Sequence, residues 1–403
     1  MMKPYTRPAA LARGPMEVVH VDRPLEMALS WLSHQRPSME ALLRRLVDQN
    51  SFTRNAEGVN AVASQVAAEL ATSGVAVERL PGGAFGDHLS FASVAPGPFS
   101  FLIGHSDTVF PPGTFEGYRV DGERALGPGV LDMKGGLVVG IFALRALREA
   151  GLLDRIPVRG IVVGDEEVGS PASQPITLAK VRGAAAALGL ESGRGGDLVV
   201  TRRKGIASLD ARAHGVAAHS GGDHEKGRNA IWALARFVDR IQGLTDYGRG
   251  VTVSVGRIEG GTTRNTVPAG ARCEVDVRFL VPADGEEVLA RIEAAAREAA
   301  VDGTRIEVAR PGGRPALVRT EASAALAAEY GECQREAGLG SGEAPLSGGG
   351  SDASVTGAAG VPSIDGLGPR GAGFHTHDEY IELGSLVPKA EALVRFLGRR
   401  ART

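Results

Sequence analysis

Five short stretches of the 403-residue chain set histidine or acid side chains where apolar runs or glycine turns break off. In "LIGHSDTV", His105 follows a run with strand character and Asp107 lies two residues on. Residues two apart share a face of an extended chain, so the carboxylate can hold one ring nitrogen of His105 while the other binds a metal. In "GPGVLDMKGG", Asp132 stands between glycine-rich turns ahead of an apolar helix, as a ligand or as a helix N-cap. That stretch is no phosphate loop, because the pattern G-x-x-x-x-G-K-[ST] is absent. "IVVGDEEVGS" runs from an apolar strand into Glu166 and Glu167. Neighbours on a strand face opposite ways, so this pair is either a solvated strand end or two carboxylates with separate tasks. In "LGLESG", Glu191 closes a strongly apolar run, where a carboxylate is costly unless paired or coordinated. "GAGFHTHDEY" adds His375 and His377. Oxygen and imidazole ligands without sulfur, gathered at successive strand ends, suit a catalytic zinc, manganese or cobalt site at the carboxyl edge of an open α/β sheet.

The elements that must position these residues alternate. "FSFLIG", "IPVRGIVVG" and "AAAALGL" read as strands, and "GGLVVGIFALRALREAG" as a long helix between the first two. Ahead of them, Ser38 to about Gln49 and Val59 to about Ser73 carry helical spacing, with Ser38 the expected N-cap. From residue 204 the order becomes strand, helix, strand, strand, helix, strand: "GIASLDARAHG", "GRNAIWALARFVDRIQGL", "VTVSVGRIEGG", "ARCEVDVRFL", "DGEEVLARIEAAAREAA" and "TRIEVAR". That order belongs to a small ferredoxin-like sandwich. A helix over about 320–337, a glycine-rich loop and a last helix over about 385–398 follow. The expected fold class is therefore α/β, a mixed sheet flanked by helices, with an α+β ferredoxin-like domain inserted. The domains are expected at 1–203 and 316–403 for the two parts of the larger one and 204–315 for the insert.

Composition narrows the function classes. Net charge is −2, with 43% apolar and 23% charged residues, which fits a soluble globular protein and excludes a charge-driven partner such as nucleic acid or an anionic membrane. No stretch approaches the roughly 20 apolar residues of a membrane helix. Cys273 and Cys333 lie far apart, which suggests a reducing compartment and buried structural thiols. The N-terminal run "MMKPYTRPAALARGPMEVVH" has basic residues but no apolar segment long enough for a signal peptide, so a cytoplasmic location is expected. "GLGPRG" fits G-x-G-x-x-G, yet Pro369 sits inside it and no helix follows, so it is a loop rather than a dinucleotide fingerprint.

Taken in order, "GHSDTV", "GPGVLDMKGG", "DEEVGS", "LGLESG", "AAHSGGDHEKGRNAI", "RNTVPAGARCEVDVR", "SGGGSDAS" and "GAGFHTHDEY" resemble the dinuclear zinc peptidases of the M20 family. That group includes glutamate carboxypeptidase, acetylornithine deacetylase, succinyl-diaminopimelate desuccinylase and aminoacylase-1. The motifs span about residues 100 to 383. The resemblance implies that His105, Asp132 and Glu191 bind one metal, and that Asp132, Glu167 and His375 bind the other, with Asp132 bridging. It also implies a cis peptide at Asp132–Met133. Glu166 matches the general base that takes a proton from the attacking water and passes it to the leaving nitrogen, and Asp107 the acid that orients His105. His375 is preferred to His377 because the family counts four residues from ligand to glutamate, here Glu379. His377 then either supports the site or faces solvent.

The same resemblance assigns His219 to the lid, reaching into a partner subunit's site to stabilise an oxyanion. Relatives often carry proline near position 224, where this chain has His224, so the loop's shape departs from the family's. Asn265 and Arg278, thirteen residues apart, match the substrate-holding pair of glutamate carboxypeptidases. Arg314 matches a further substrate arginine and Gly349 a loop glycine beside the substrate; Arg264 reads as a surface charge. The implied protein is a homodimer through its lid, carrying two zinc ions (with cobalt or manganese as alternatives). It would be a carboxypeptidase cleaving an amide next to a free carboxylate in a small N-acyl amino acid or peptide-like substrate whose C-terminal residue is glutamate or another amino acid. Two alternatives stand beside it. One is a deacylase with a non-acidic product, like acetylornithine deacetylase or aminoacylase. The other is a catalytically silent binding homologue.

Overall fold

The computed structural model describes residues 22–401. The N-terminal run read above for a signal peptide lies outside the described residues. Six strands form the larger sheet in the order Ala76–Leu80, His88–Ala92, Val158–Val163, Phe99–His105, Ala184–Gly189, Ser363–Ile364. The last four run parallel, His88–Ala92 runs against them and Ala76–Leu80 pairs antiparallel with it, so the sheet is mixed as expected. Phe99–His105 is buried at every position, which is what a central parallel strand covered on both faces requires. The main core joins the helices Asp22–Ser33, Arg36–Asp48, Ala56–Thr72, Gly135–Glu149 and Leu386–Gly398 to one sheet face, through Leu43, Leu46, Phe142, Leu144 and Phe396 among others.

Two helix starts differ from the sequence reading, one of them the helix Ala56–Thr72, which begins three residues before Val59. The second helix starts at Arg36, two residues before Ser38, with Gln35 at its N-cap. Pro37 sits in its first turn, where a missing N–H and a fixed φ are no handicap. The helix Asp22–Ser33, with Pro24 in its first turn, has no counterpart in the sequence reading. Asn55 and Thr320 do cap their helices, Thr320 with a reciprocal bond from Ser323.

The insert is a four-stranded antiparallel sheet in the order Thr252–Gly260, Gly270–Phe279, Gly205–His214, Arg305–Arg314. Two helices, Ala230–Gln242 and Pro282–Ala299, cover one face around Leu209, Phe237, Val275 and Ile292. This is the ferredoxin-like order read from the sequence. Strict burial alternation along Gly205–His214 shows why: every second residue enters this core. Cys273 and Cys333 are both free and buried. Among the described residues no helix is long and apolar enough to cross a membrane.

Candidate metal centre

Three adjacent parallel strands deliver the first ligands. Val163, His105 and Gly189 end neighbouring strands, so Glu167, His105 and Glu191 emerge side by side along the carboxyl edge of the sheet. Asp132 reaches the same place from the turn Val130–Lys134, which leads into the helix Gly135–Glu149. That helix packs hard against the strand end: a Cβ on Gly136 would lie 1.8 Å from the Leu190 carbonyl oxygen, so only glycine fits. The Asp132–Met133 peptide is cis. Glu379 fixes the turn from behind, accepting backbone N–H bonds from Gly129 (3.2 Å), Leu131 (2.8 Å) and Asp132 (3.0 Å). His375 arrives on the loop after Gly371–Ala372, with φ 64°, a left-handed conformation uncommon outside glycine.

Asp132 turns one oxygen to each histidine. Its Oδ1 lies 3.2 Å from His105 Nε2, and its Oδ2 3.3 Å from His375 Nε2. Glu191 Oε1 is 3.6 Å from His105 Nε2, and Glu167 Oε2 is 3.1 Å from His375 Nε2. Ligand bonds of about 2.0–2.1 Å set donor atoms about 3.3 Å apart around a tetrahedral cation, so both clusters have the spacing of a metal site. His105, Asp132 and Glu167 also offer ligand atoms within 4.8 Å of one another. Glu167 Oε1 is buried with no hydrogen-bond partner, an orphan that a cation would satisfy. The residues present therefore fit a pair of divalent ions.

The electrostatics agree. Burial opposes ionisation of Asp132, but the bonds from His105 and His375 outweigh it and hold its carboxyl well below the usual range. Burial raises Glu191 and Glu167 above theirs. The bonds to Asp132 and Glu167 push His375 up to about 10. The imidazoles are thus the cations that balance these acids, and a bound metal would displace their protons.

Glu166 and Glu167 do face different ways. Glu167 turns to His375, while Glu166 turns to Arg314, whose guanidinium pairs with its Oε1 and donates to its carbonyl. Burial pushes Glu166 up to about 8 against the opposing pull of Arg314. Asp107 is what holds the pair apart. Its Oδ1 accepts the Glu166 N–H and its Oδ2 the Glu167 N–H, both at 3.1 Å, and Thr53 donates to Oδ2 at 2.7 Å. Asp107 Oδ1 is also 3.4 Å from His105 Nδ1. Thr53, fifty-four residues away, carried no sequence signal for this task.

A cleft of roughly 400 Å³ opens from the site between lid and sheet edge, lined by Glu166, Glu167, His375, Ser208, Arg278 and Gly349 among others. Arg278 is paired through Nε and Nη2 with Asp276 at 2.7 and 2.9 Å and donates to the Gly348 carbonyl at 3.2 Å. Asp276 stands two residues from it on the same strand face, a spacing that could have found it. A Cβ on Gly349 would meet nothing in the chain, so that position is open to the cleft. Arg314 is 5% exposed and committed to Glu166 rather than free in the cleft. His377 stacks on Phe115, centroids 5.3 Å apart, and Arg264 lines a surface hollow in the lid. His219 and Asn265 lie together at a short two-stranded lid ribbon, where Ser220 N–H donates to the Asn265 carbonyl at 3.0 Å. They do not line this chain's cleft.

Residues 101–399 match the sequence profile of "Peptidase family M20/M25/M40". Carboxypeptidase G2 of Pseudomonas sp. (strain RS-16) is 29% identical over 359 residues, 87% of this chain and 86% of that protein. Aminopeptidase PepT of Bacillus cereus superposes with TM-score 0.73 at 23% identity, over 91% of this chain and 99% of that one. The YXEP protein of Bacillus subtilis, described as a dinuclear metal-binding peptidase, superposes with TM-score 0.66 at 16% identity, over 91% of this chain and 98% of that one.

Proposed function

The chain belongs to peptidase family M20/M25/M40, and from that premise we propose that it is a two-metal hydrolase that cuts an amide beside a free carboxylate. The single observation that carries the reading is the division of Asp132 between two histidines, each backed by its own glutamate. In this reading His105, Asp132 and Glu191 hold one divalent ion, and Asp132, Glu167 and His375 the other; zinc suits the nitrogen and oxygen donors, with cobalt or manganese as alternatives. Bound there, the ions would supply Lewis acidity toward a carbonyl oxygen and toward water.

The chain's own residues do the rest. Glu166 receives the proton of the attacking water and returns it to the leaving nitrogen; its raised pKa places it near neutrality, where a general base works best. Asp107 keeps Glu166 and Glu167 aimed apart. Arg278, set in plane by Asp276, presents its remaining N–H edge to a substrate carboxylate at the cleft wall. Gly349 leaves room for the substrate's backbone.

His219 and Asn265 are part of the proposal in a second copy of the chain. Exposed Ile231, Trp232 and Ile258 cluster on the lid helix Ala230–Gln242 and the edge strand Thr252–Gly260, which supports pairing of two lids there. The domain division at 204 and 315 and a reducing, cytoplasmic setting belong to the same reading, the latter supported by the two free buried thiols.

A panel of N-acyl amino acids and short peptides ending in glutamate, aspartate, apolar or basic residues tests it. Hydrolysis that a chelator abolishes and zinc restores is expected, and the preferred C-terminal residue separates the carboxypeptidase from the deacylase reading. Two bound ions with no turnover across the panel would sink it in favour of a silent binding homologue.

A further inference from the structure

Arg314 is the last residue of the lid strand Arg305–Arg314, opposite Ile206 at the start of the first lid strand. Its buried guanidinium leaves the lid and enters the catalytic domain. Beyond Glu166, it donates through Nη2 to Ser170 Oγ at 3.0 Å, and its Nη1 lies 3.3 Å from Asp352 Oδ1. The Ser170 hydroxyl donates to that same Asp352 oxygen. One guanidinium is thus shared by two carboxylates, Glu166 and Asp352, with a serine bridging it to the second.

Asp352 belongs to the glycine-rich stretch "SGGGSDAS", whose carbonyls and glycines border the cleft. Its burial, at 4% exposure, has no use in the hydrolytic scheme above. It stands at the N-cap position of the helix Ala353–Ala358, yet its side chain makes no capping bond. Its Oδ2 is buried without a partner. A carboxylate that forgoes its own helix and leaves one oxygen orphaned is retained for its other contacts, and those are Arg314 and Ser170.

We propose that Asp352, seated by Ser170, is a positioning residue: it fixes the Arg314 fork between two acids, and the fork fixes Glu166 at the mouth of the cleft. The clamp ties the root of the lid to the base. The side chain of Asp352 contacts Ser170 and Arg314 and lies outside the cleft lining. The inference rests on Glu166 being the base of the proposed hydrolase.

Asp352→Asn keeps shape and removes the charge that steadies the fork. With the panel substrate that the native chain turns over fastest, kcat should fall about tenfold or more, because small misplacement of a reacting group is expensive in rate. KM should stay within about threefold, and both metals and the melting temperature should be retained. Arg314→Lys keeps the charge and loses the fork; in that background Asp352→Asn should cost less than about twofold, because its route to Glu166 is already broken. Ser170→Ala, which removes both the donor to Asp352 and an acceptor of Arg314 Nη2, carries the same cycle if Asp352→Asn does not fold. Additive losses in the cycle, an unchanged kcat, or a loss that tracks missing metal or lowered stability would overturn the proposal while leaving the hydrolase standing. An inactive native chain would overturn the hydrolase first.

Discussion

Asp107→Asn removes one oxygen from the side chain that separates the tasks of Glu166 and Glu167. The native carboxylate is fully buried and accepts both glutamate N–H bonds at 3.1 Å, one on each oxygen. An asparagine of the same shape must put its NH2 group at one of those places. In one rotamer it confronts the Glu166 N–H, and in the other the Glu167 N–H, with the Thr53 hydroxyl able to turn toward the Thr108 carbonyl and accept. Either way a buried backbone donor is left facing a donor, at about 1–3 kcal/mol. That strain falls on the peptide that aims the base and a ligand in different directions. Loss of support behind a ligand weakens metal binding about 10–100-fold, and a shift of about 1 Å in a reacting group lowers turnover about 100-fold. Competition with a chromophoric chelator reads the first, and kcat at saturating zinc reads the second. A variant whose zinc affinity and kcat both stay within about threefold of native would refute this account of Asp107.

Other outcomes follow from the same geometry. Glu166→Gln should keep two metals and lose turnover by at least about 100-fold; retained activity would remove Glu166 as base. Zinc affinity should rise with pH across the neutral range: the raised pKa of His375 means the free site holds a proton there that the ion must displace. By the same sign, the metal-free chain loses this histidine's contribution to stability as pH climbs from about 6.5 toward about 10. A pH-independent zinc affinity would contradict both statements. Trp232→Glu at the exposed lid helix should convert a dimer to a monomer in sedimentation and lower activity with it, whereas a fully active monomer would show that His219 and Asn265 are not needed in trans.

What was legible in the sequence was the local part of the site. His105, Glu167 and Glu191 each follow a short apolar strand, and strand ends at one sheet edge must meet, so side chains up to 86 residues apart could be gathered without coordinates. The ferredoxin-like insert was equally legible, because its two central strands bury every second residue. The illegible part is long-range support. Thr53 behind Asp107, Arg314 between Glu166 and Asp352, and Glu379 under the Asp132 turn are pairings across 54, 148 and 247 residues. A lone threonine or arginine has no periodicity to announce its partner. Arg314 is the instructive case. Its charge was read as a substrate anchor, but an arginine at a domain root with two buried acids nearby is held by those acids first.

Two ions sharing Asp132 are the centre of the proposed chemistry. Anomalous diffraction from zinc-loaded crystals of the native chain and of Glu167→Ala tests this most directly. Two peaks on either side of the Asp132 carboxylate in the native chain, with the one beside His375 lost or much weakened in the variant, is the predicted result. A single peak in the native chain, or two undiminished peaks in the variant, would contradict it.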